Sequence, residues 1–259
     1  MINIVIRQQE VKQMMINENA DNYDRETSEY IVAYLDLLGV TTRMKNNIYA
    51  QKIAMNKLHN LYNFNMNVTR EIAIDGYQDI QFKIFSDNII IAKKLSIDLK
   101  TRVQDIKSLL NCVSNFQCSA VTDDVGWLVR GGISIGDFYI DETMVWGQAL
   151  LKSYEHENNI AIYPRIIIDS NIISELQKSE ELTGYISQDF DNMYFLNYLY
   201  IQHFGGRFLK NGFKLMLDEL KGTYSERVYQ KLCWHMNYIN RELDKKNERG
   251  ESKYRLSID

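Results

Sequence analysis

Residues 30–40 read YIVAYLDLLGV, and the placement of one aspartate in them decides how the chain is understood. Tyr30 to Leu35 form a continuous apolar run, as expected of a strand covered on both faces. Asp36 follows, then Leu37 and Leu38, and Gly39 closes the stretch. A carboxylate among apolar neighbours costs roughly several kcal/mol unless it is paired or holds a metal. The stretch therefore predicts positive charge beside Asp36.

Working outward from that strand, residues 43–64 (RMKNNIYAQKIAMNKLHNLYNF) carry apolar residues at helical spacing. Residues 80–95 (IQFKIFSDNIIIAKKL) hold two β-rich runs that meet at Ser86-Asp87-Asn88, a hairpin turn by composition. A long helix is predicted around 98–119, then a strand and a second hairpin over 126–147. A helix over 148–158, a strand over 161–169 and a short helix over 170–179 complete this part. The order is β-α-β-β-α-β with a further hairpin, helix and strand. That is the split βαβ, ferredoxin-like α+β arrangement, an antiparallel sheet with helices on one face. Residues 1–28 read as an N-terminal extension, 29–182 as the main domain, and 183–259 as a C-terminal α-rich appendage packed on it. The appendage is expected to hold a strand pair and a charged helix over 225–249, and FGGRF (204–208) reads as a turn.

In this topology the ends of the first strand and of the central hairpin lie side by side, which brings Asp87 to Asp36. Two neighbouring carboxylates raise each other's pKa or bind a divalent cation. Hard oxygen ligands suit Mg²⁺ or Mn²⁺, ions that keep sites for water and substrate phosphates, and two-ion clamps of this kind serve phosphoryl and nucleotidyl transfer. Asp87 also has an ordinary reading, as a plain turn residue.

These residues resemble a family. YLDLLGVT (34–41) looks like the metal-binding strand of class III nucleotidyl cyclases, and KIFSDNIII (83–91) is similar to their Lys-x-x-Gly-Asp hairpin, with Ser86 in place of Gly. RGGISIG (130–136) matches Arg-x-Gly-Ile-x-x-Gly, and VWGQALLKSYEHE (145–157) begins with the family's Val-Trp-Gly. The four blocks stand in the family's order across roughly residues 30–169. The combination DLLG, FSDN and RGGIS most resembles the bacterial antiphage pyrimidine cyclases of the Pycsar system.

The resemblance implies two ions, Mn²⁺ or Mg²⁺, bridged by Asp36 and Asp87 with the carbonyl of Leu37 as a further ligand. It implies attack of a ribose 3′-hydroxyl on the α-phosphorus of a nucleoside triphosphate, with loss of pyrophosphate. Tyr34, Lys83 and Arg130 fall on positions that contact substrate, although a core role for Tyr34, a solvated charge for Lys83 and a structural role for Arg130 are the ordinary readings. The purine cyclases' Asn and Arg after Val-Trp-Gly are replaced by Leu151 and Glu155, and the adenine-reading Asp by Met144. These departures point to a pyrimidine substrate, UTP ahead of CTP, with the cyclic nucleotide acting as an antiphage messenger on a responsive effector. They also fit an inactive pseudo-cyclase that senses nucleotides. A palm-type polymerase or diguanylate-type enzyme needs an adjacent acidic pair at the hairpin, and SDNI has one acid. Family sites form between subunits, so a head-to-tail homodimer is expected, with residues 137–147 reaching to the partner.

The remaining features bound the answer. The chain has 259 residues, 45% hydrophobic, with a formal net charge of −4. This weakly disfavours a nucleic-acid binder that relies on phosphate contacts. No run approaches a membrane span, and the polar N-terminus lacks a signal-peptide core, so a cytoplasmic protein is expected. The three cysteines, Cys112, Cys118 and Cys233, have no metal-type spacing and read as reduced core residues. His59, His156, His203 and His235 are scattered, against a zinc site.

Overall fold

The strand β1 (Ser28–Leu37) lies between two partners, and its alternation sets the layers. Ile31, Ala33, Leu35 and Leu37 point to one face, and Val32 and Tyr34 to the other, each set into its own apolar cluster. A computed structural model describes residues 25–40, 44–45, 47–71, 79–122, 125–177, 184–201, 206–220, 225–246 and 251–258. Most of the N-terminal extension, residues 1–24, and His203 lie outside them.

The helix α1 (Ile48–Glu71) leads to the hairpin of β2 (Gln81–Phe85) and β3 (Asn88–Lys94). Then come α2 (Leu99–Val121), β4 (Val129–Ile140), β5 (Val145–Gly147) and α3 (Gln148–Glu155), which continues as a π-helical turn over His156–Ile160. The chain goes on through β6 (Ile166–Ile168), α4 (Ser170–Leu176), β7 (Ile186–Gln188), β8 (Tyr194–Leu196) and α5 (Tyr198–Ile201). The helices α6 (Gly206–Leu220) and α7 (Glu226–Lys245) follow, and then a 3₁₀ turn over Glu251–Tyr254. One eight-stranded sheet runs β2-β3-β1-β4-β6-β8-β7, with β5 paired to β4. The β4-β1-β3-β2 portion has the order and antiparallel pairing of a split βαβ, α+β fold. The β4–β6 pair is parallel.

The helices α1, α2 and α4 cover the face that carries Ile31 and Leu35. Asp98 caps α2, its side chain accepting from the Thr101 amide at 2.9 Å. The short α3 sits on the opposite face, and small residues let it approach. A Cβ at Gly132 would fall 2.3 Å from the Ser153 carbonyl oxygen. Ser153 Oγ donates to the Val32 carbonyl at 2.9 Å, and Ser134 Oγ to that of Ala149 at 2.6 Å. RGGISIG is thus a docking strip for α3.

Two elements differ from the sequence reading. Gly206–Phe208 of FGGRF begin α6 rather than belonging to a turn, while Phe204 and Gly205 lie outside the described residues. Gly212 fits this helix against the end of α2, where a Cβ would stand 2.0 Å from the Val121 carbonyl oxygen. A glycine that lowers helix propensity is thus tolerated at 212 for packing. The strands β7 and β8 extend the central sheet beyond β6. Cys112 and Cys118 are buried, and no helix among the described residues is long and apolar enough to cross a membrane.

Candidate active site

The site begins where β1 ends. The Leu37 amide donates to the Asp87 carbonyl at 3.0 Å, and Asp36 faces Asn88 across the β1–β3 ladder. The two aspartates are therefore neighbours, joined by main-chain bonds rather than by flexible loops. Asp87 sits in a tight two-residue turn whose Ser86 takes φ +58°, and Tyr62 Oη of α1 donates to the Ser86 carbonyl at 3.1 Å. The turn thus adopts the left-handed conformation for which glycine is the unstrained choice.

The positive charge that the sequence demands beside Asp36 is Arg130. It faces Asp36 across the β1–β4 ladder, and its Nε donates to Asp36 Oδ2 at 2.9 Å. Its Nη2 lies 2.7 Å from Oε1 of Glu157, a residue the sequence reading did not single out. Glu157 is 3% exposed and sits on the π-helical turn after α3. Burial pushes its carboxyl up, with Arg130 opposing and Asp36 adding to the rise. Asp36 is therefore a paired carboxylate, not a bare one. No sequence signal marked Glu157, since the turn that aims it departs from α-helical spacing.

Tyr34, two residues before Asp36 and on the same face, donates from Oη to Asn88 Oδ1 at 2.7 Å. Asn88 Nδ2 in turn donates to Asp87 Oδ1 at 3.2 Å. Burial, reinforced by Glu157 and Asp36, pushes the Tyr34 phenol up to about 12, so it stays a neutral donor. Lys83 shares the row Lys83–Ile90–Tyr34 across β2, β3 and β1, and its Nζ donates to the Glu142 carbonyl at 2.8 Å. It bridges the central hairpin to the β4–β5 turn, where Met144 is exposed.

Beside this row lies a cavity of about 780 Å³, lined among others by Tyr34, Phe85, Ile90, Trp146, Leu151 and Tyr154. Tyr34 and Tyr154 meet edge to face at 5.4 Å. Trp146 is 67% exposed and stands opposite Tyr139, so the cavity's aromatic wall runs from the Asp36 end of the sheet at Tyr34 towards the other end of β1.

The donor set fits small hard cations. Asp36 Oδ1 and Asp87 Oδ2 each lack a hydrogen-bond donor among the described residues, while their partner oxygens are engaged. No group of three or more His, Cys, Asp or Glu side chains that could hold a metal ion occurs among those residues. Two carboxylates and a main-chain carbonyl suit an ion that fills its shell from water and phosphate, not an all-protein cage.

No protein-family model matches the chain, and no curated protein sequence matches it. Solved structures give similarities at low identity. The monomeric guanylyl cyclase domain of the RhoGC fusion protein from the aquatic fungus Blastocladiella emersonii is 10% identical, with 67% of this chain and 96% of that chain covered and a TM-score of 0.49. The guanylate cyclase domain of RhGC from Catenaria anguillulae in complex with GTP is 10% identical over 67% and 98%, with a TM-score of 0.45. A bacterial light-regulated adenylyl cyclase is 12% identical over 68% and 96%, with a TM-score of 0.41.

Proposed function

We propose that the chain is a metal-dependent nucleotide cyclase that converts a pyrimidine triphosphate, UTP ahead of CTP, to its 3′,5′-cyclic nucleotide. The observation that carries this reading is the pairing of Asp36 and Asp87 at one end of the sheet, with a main-chain bond from Leu37 to Asp87 between them. Asp36, Asp87 and the Leu37 carbonyl would hold two divalent ions, Mg²⁺ or Mn²⁺. Such ions supply neutralising charge for a triphosphate and lower the pKa of a ribose hydroxyl.

The protein's own residues do the rest. The β1–β3 ladder holds both carboxylates in place before substrate arrives, so that little reorganisation is needed. Tyr34, Phe85, Trp146 and Tyr154 offer the cavity an aromatic wall on which a base can stack. Lys83 spends one of its three ammonium donors on Glu142, which leaves two to give to the O4 of uracil. Cytosine presents a donor amino group at that position and gains nothing from them. Met144 offers no acceptor for an adenine amino group, and unpaired polar edges discriminate strongly.

The antiphage role, a homodimer with shared sites and an effector that reads the cyclic product rest on the likeness of DLLG, FSDN and RGGIS to the Pycsar cyclases. The exposed Trp146 and Leu151 supply apolar surface that a second copy would cover. The second reading is a pseudo-cyclase that binds nucleotide without turning it over. Its support is that Arg130 pairs with Asp36 at 2.9 Å and so gives the carboxylate a structural partner.

Incubation with equimolar ATP, GTP, CTP and UTP and Mn²⁺, followed by separation of the products, decides between them. Cyclic UMP as the main product is expected. Cyclic CMP would overturn the role given to Lys83, and cyclic AMP or cyclic GMP the pyrimidine reading. Nucleotide binding without release of pyrophosphate would establish the pseudo-cyclase.

A further inference from the structure

The C-terminal helix α7 reaches the end of β1 that carries Asp36. Val228, in its first turn, packs in the same apolar cluster as Leu38, two residues beyond Asp36. Two turns further on, Trp234 stacks on Tyr163 at 5.8 Å and donates from Nε1 to Asp189 at 2.8 Å. Asp189, with Asp191, grips the buried Arg165, whose carbonyl accepts from the Gly131 amide at 3.1 Å. The helix thus shares an apolar cluster with Leu38, close in sequence to Asp36, and is linked through Asp189 and Arg165 to Gly131, the neighbour of Arg130.

Lys231 lies between these two anchors, three residues after Val228 and three before Trp234. It is half-buried and within electrostatic reach of Arg130, Arg227, Asp36 and Glu157. Arg227, one turn earlier, shares its face of the helix. Neither cation makes a hydrogen bond or ion pair among the described residues, because Asp36 and Glu157 are both taken by Arg130. Burial, with Arg130 and Arg227 adding to it, pushes the Lys231 ammonium down. A half-buried ammonium beside two other cations and without a bonded anion is costly, and an anion bound to it removes the cost. On the cavity side, α3 offers Lys152, which is spent on Asp169 at 2.5 Å.

We propose that Lys231, with Arg227 one turn before it, receives the polyphosphate of the substrate, so that α7 of the same chain completes the site. The proposal rests on the nucleotide reading above and names the phosphate-binding residues within it. Lysine serves here as a point charge on phosphate oxygens, and an i, i+4 pair on one helix face spans successive phosphates. The helix would thereby add to the polar end of the site what Tyr34 and Trp146 add to the base end.

Lys231→Gln, Lys231→Arg and the double variant Lys231→Gln/Arg227→Gln test this through two readouts. One is calorimetric binding of inorganic triphosphate with and without Mg²⁺, and the other is the KM and kcat of nucleotide turnover. Lys231→Gln is expected to weaken triphosphate binding and raise KM about tenfold or more, the loss of one charge-assisted contact, with a larger effect in the double variant. Lys231→Arg should retain most of both. Thermal melts confirm that each variant folds, and Lys231→Met, which keeps the apolar stem, replaces any that does not. Wild-type turnover with unchanged KM and unchanged triphosphate affinity in Lys231→Gln and the double variant would overturn the proposal and leave the cyclase reading intact. Triphosphate binding that depends on Lys231 in a protein that cyclises no nucleotide would refute the cyclase reading and keep the anion site.

Discussion

Arg130 and Asp36 face each other across adjacent strands, and the guanidinium Nε donates to the carboxylate at 2.9 Å. The sheet thus neutralises one of its two neighbouring aspartates before any ion arrives. With Glu157 at the guanidinium's Nη2, Arg130 pairs with two acids, one partly and one almost fully buried. A divalent ion held at Asp36 would compete with this pair, and Oδ1, the carboxylate oxygen that Arg130 does not engage, would be the one to meet it.

Asp36→Asn and Asp87→Asn should each abolish nucleotide cyclisation while the protein stays folded. Asparagine keeps the shape, and at position 36 an oxygen for Arg130, but removes the charge that holds a divalent ion. Product assays alongside thermal melts check both halves. Turnover near wild type in either variant would remove that aspartate from the ion site.

Arg130→Ala should destabilise the fold by about 3 kcal/mol, because it leaves Asp36 and Glu157 without their cation. The second substitution Glu157→Gln should recover part of that loss, since burial disfavours the Glu157 charge. Urea unfolding of the single and double variants measures the coupling. Additive effects would mean that the two side chains act independently.

Ser86→Gly should stabilise the protein by roughly 0.5–1 kcal/mol. Ser86 holds φ +58°, where a residue with a Cβ is disfavoured by about 1–2 kcal/mol, and glycine returns part of this gain through its freer unfolded chain. Chemical denaturation gives the difference directly. A destabilised variant would mean that the Ser86 side chain contributes more than its backbone costs.

Much of this architecture is legible in the chain. The buried run at 30–35 and the apolar block Asn88 to Lys94 are distinctive because both faces of those strands are covered. Asp36 and Asp87 stand out against that background. The role of Arg130 is not legible, since its partnership with Asp36 depends on a register set across 94 residues. Read as a phosphate contact, it sits in this structure between two carboxylates. Glu157 escapes notice because a π-helical turn rotates it inward, and Lys231 because a half-buried lysine on a charged helix looks like any solvated one. The helix α6 is hidden by its glycines, and the value of one of them, Gly212, lies in how closely it lets the end of α2 approach.

The acid sensitivity of the protein should trace in large part to His235. The imidazole is 1% exposed, stacks on Tyr198 at 6.4 Å with the rings 8° from parallel, and has no hydrogen-bond partner on either nitrogen among the described residues. Burial pushes its pKa down to about 3, against an ordinary value of 6.5. Between those values the unfolded chain binds a proton that the folded one refuses. The stability that His235 contributes is therefore complete above pH 6.5 and is lost as pH falls towards 3, by up to roughly 1.4 kcal/mol per pH unit. Glu157 acts in the opposite sense, since its raised carboxyl binds a proton more readily in the folded state. His235→Phe keeps the stacked ring and removes the two unpaired nitrogens, so stability at neutral pH should hold or rise by about 1 kcal/mol. Its urea midpoint should then fall less steeply than the wild type's between pH 6.5 and 4.5, a comparison in which Glu157 cancels. Equal slopes in the two proteins would place the acid sensitivity on other groups.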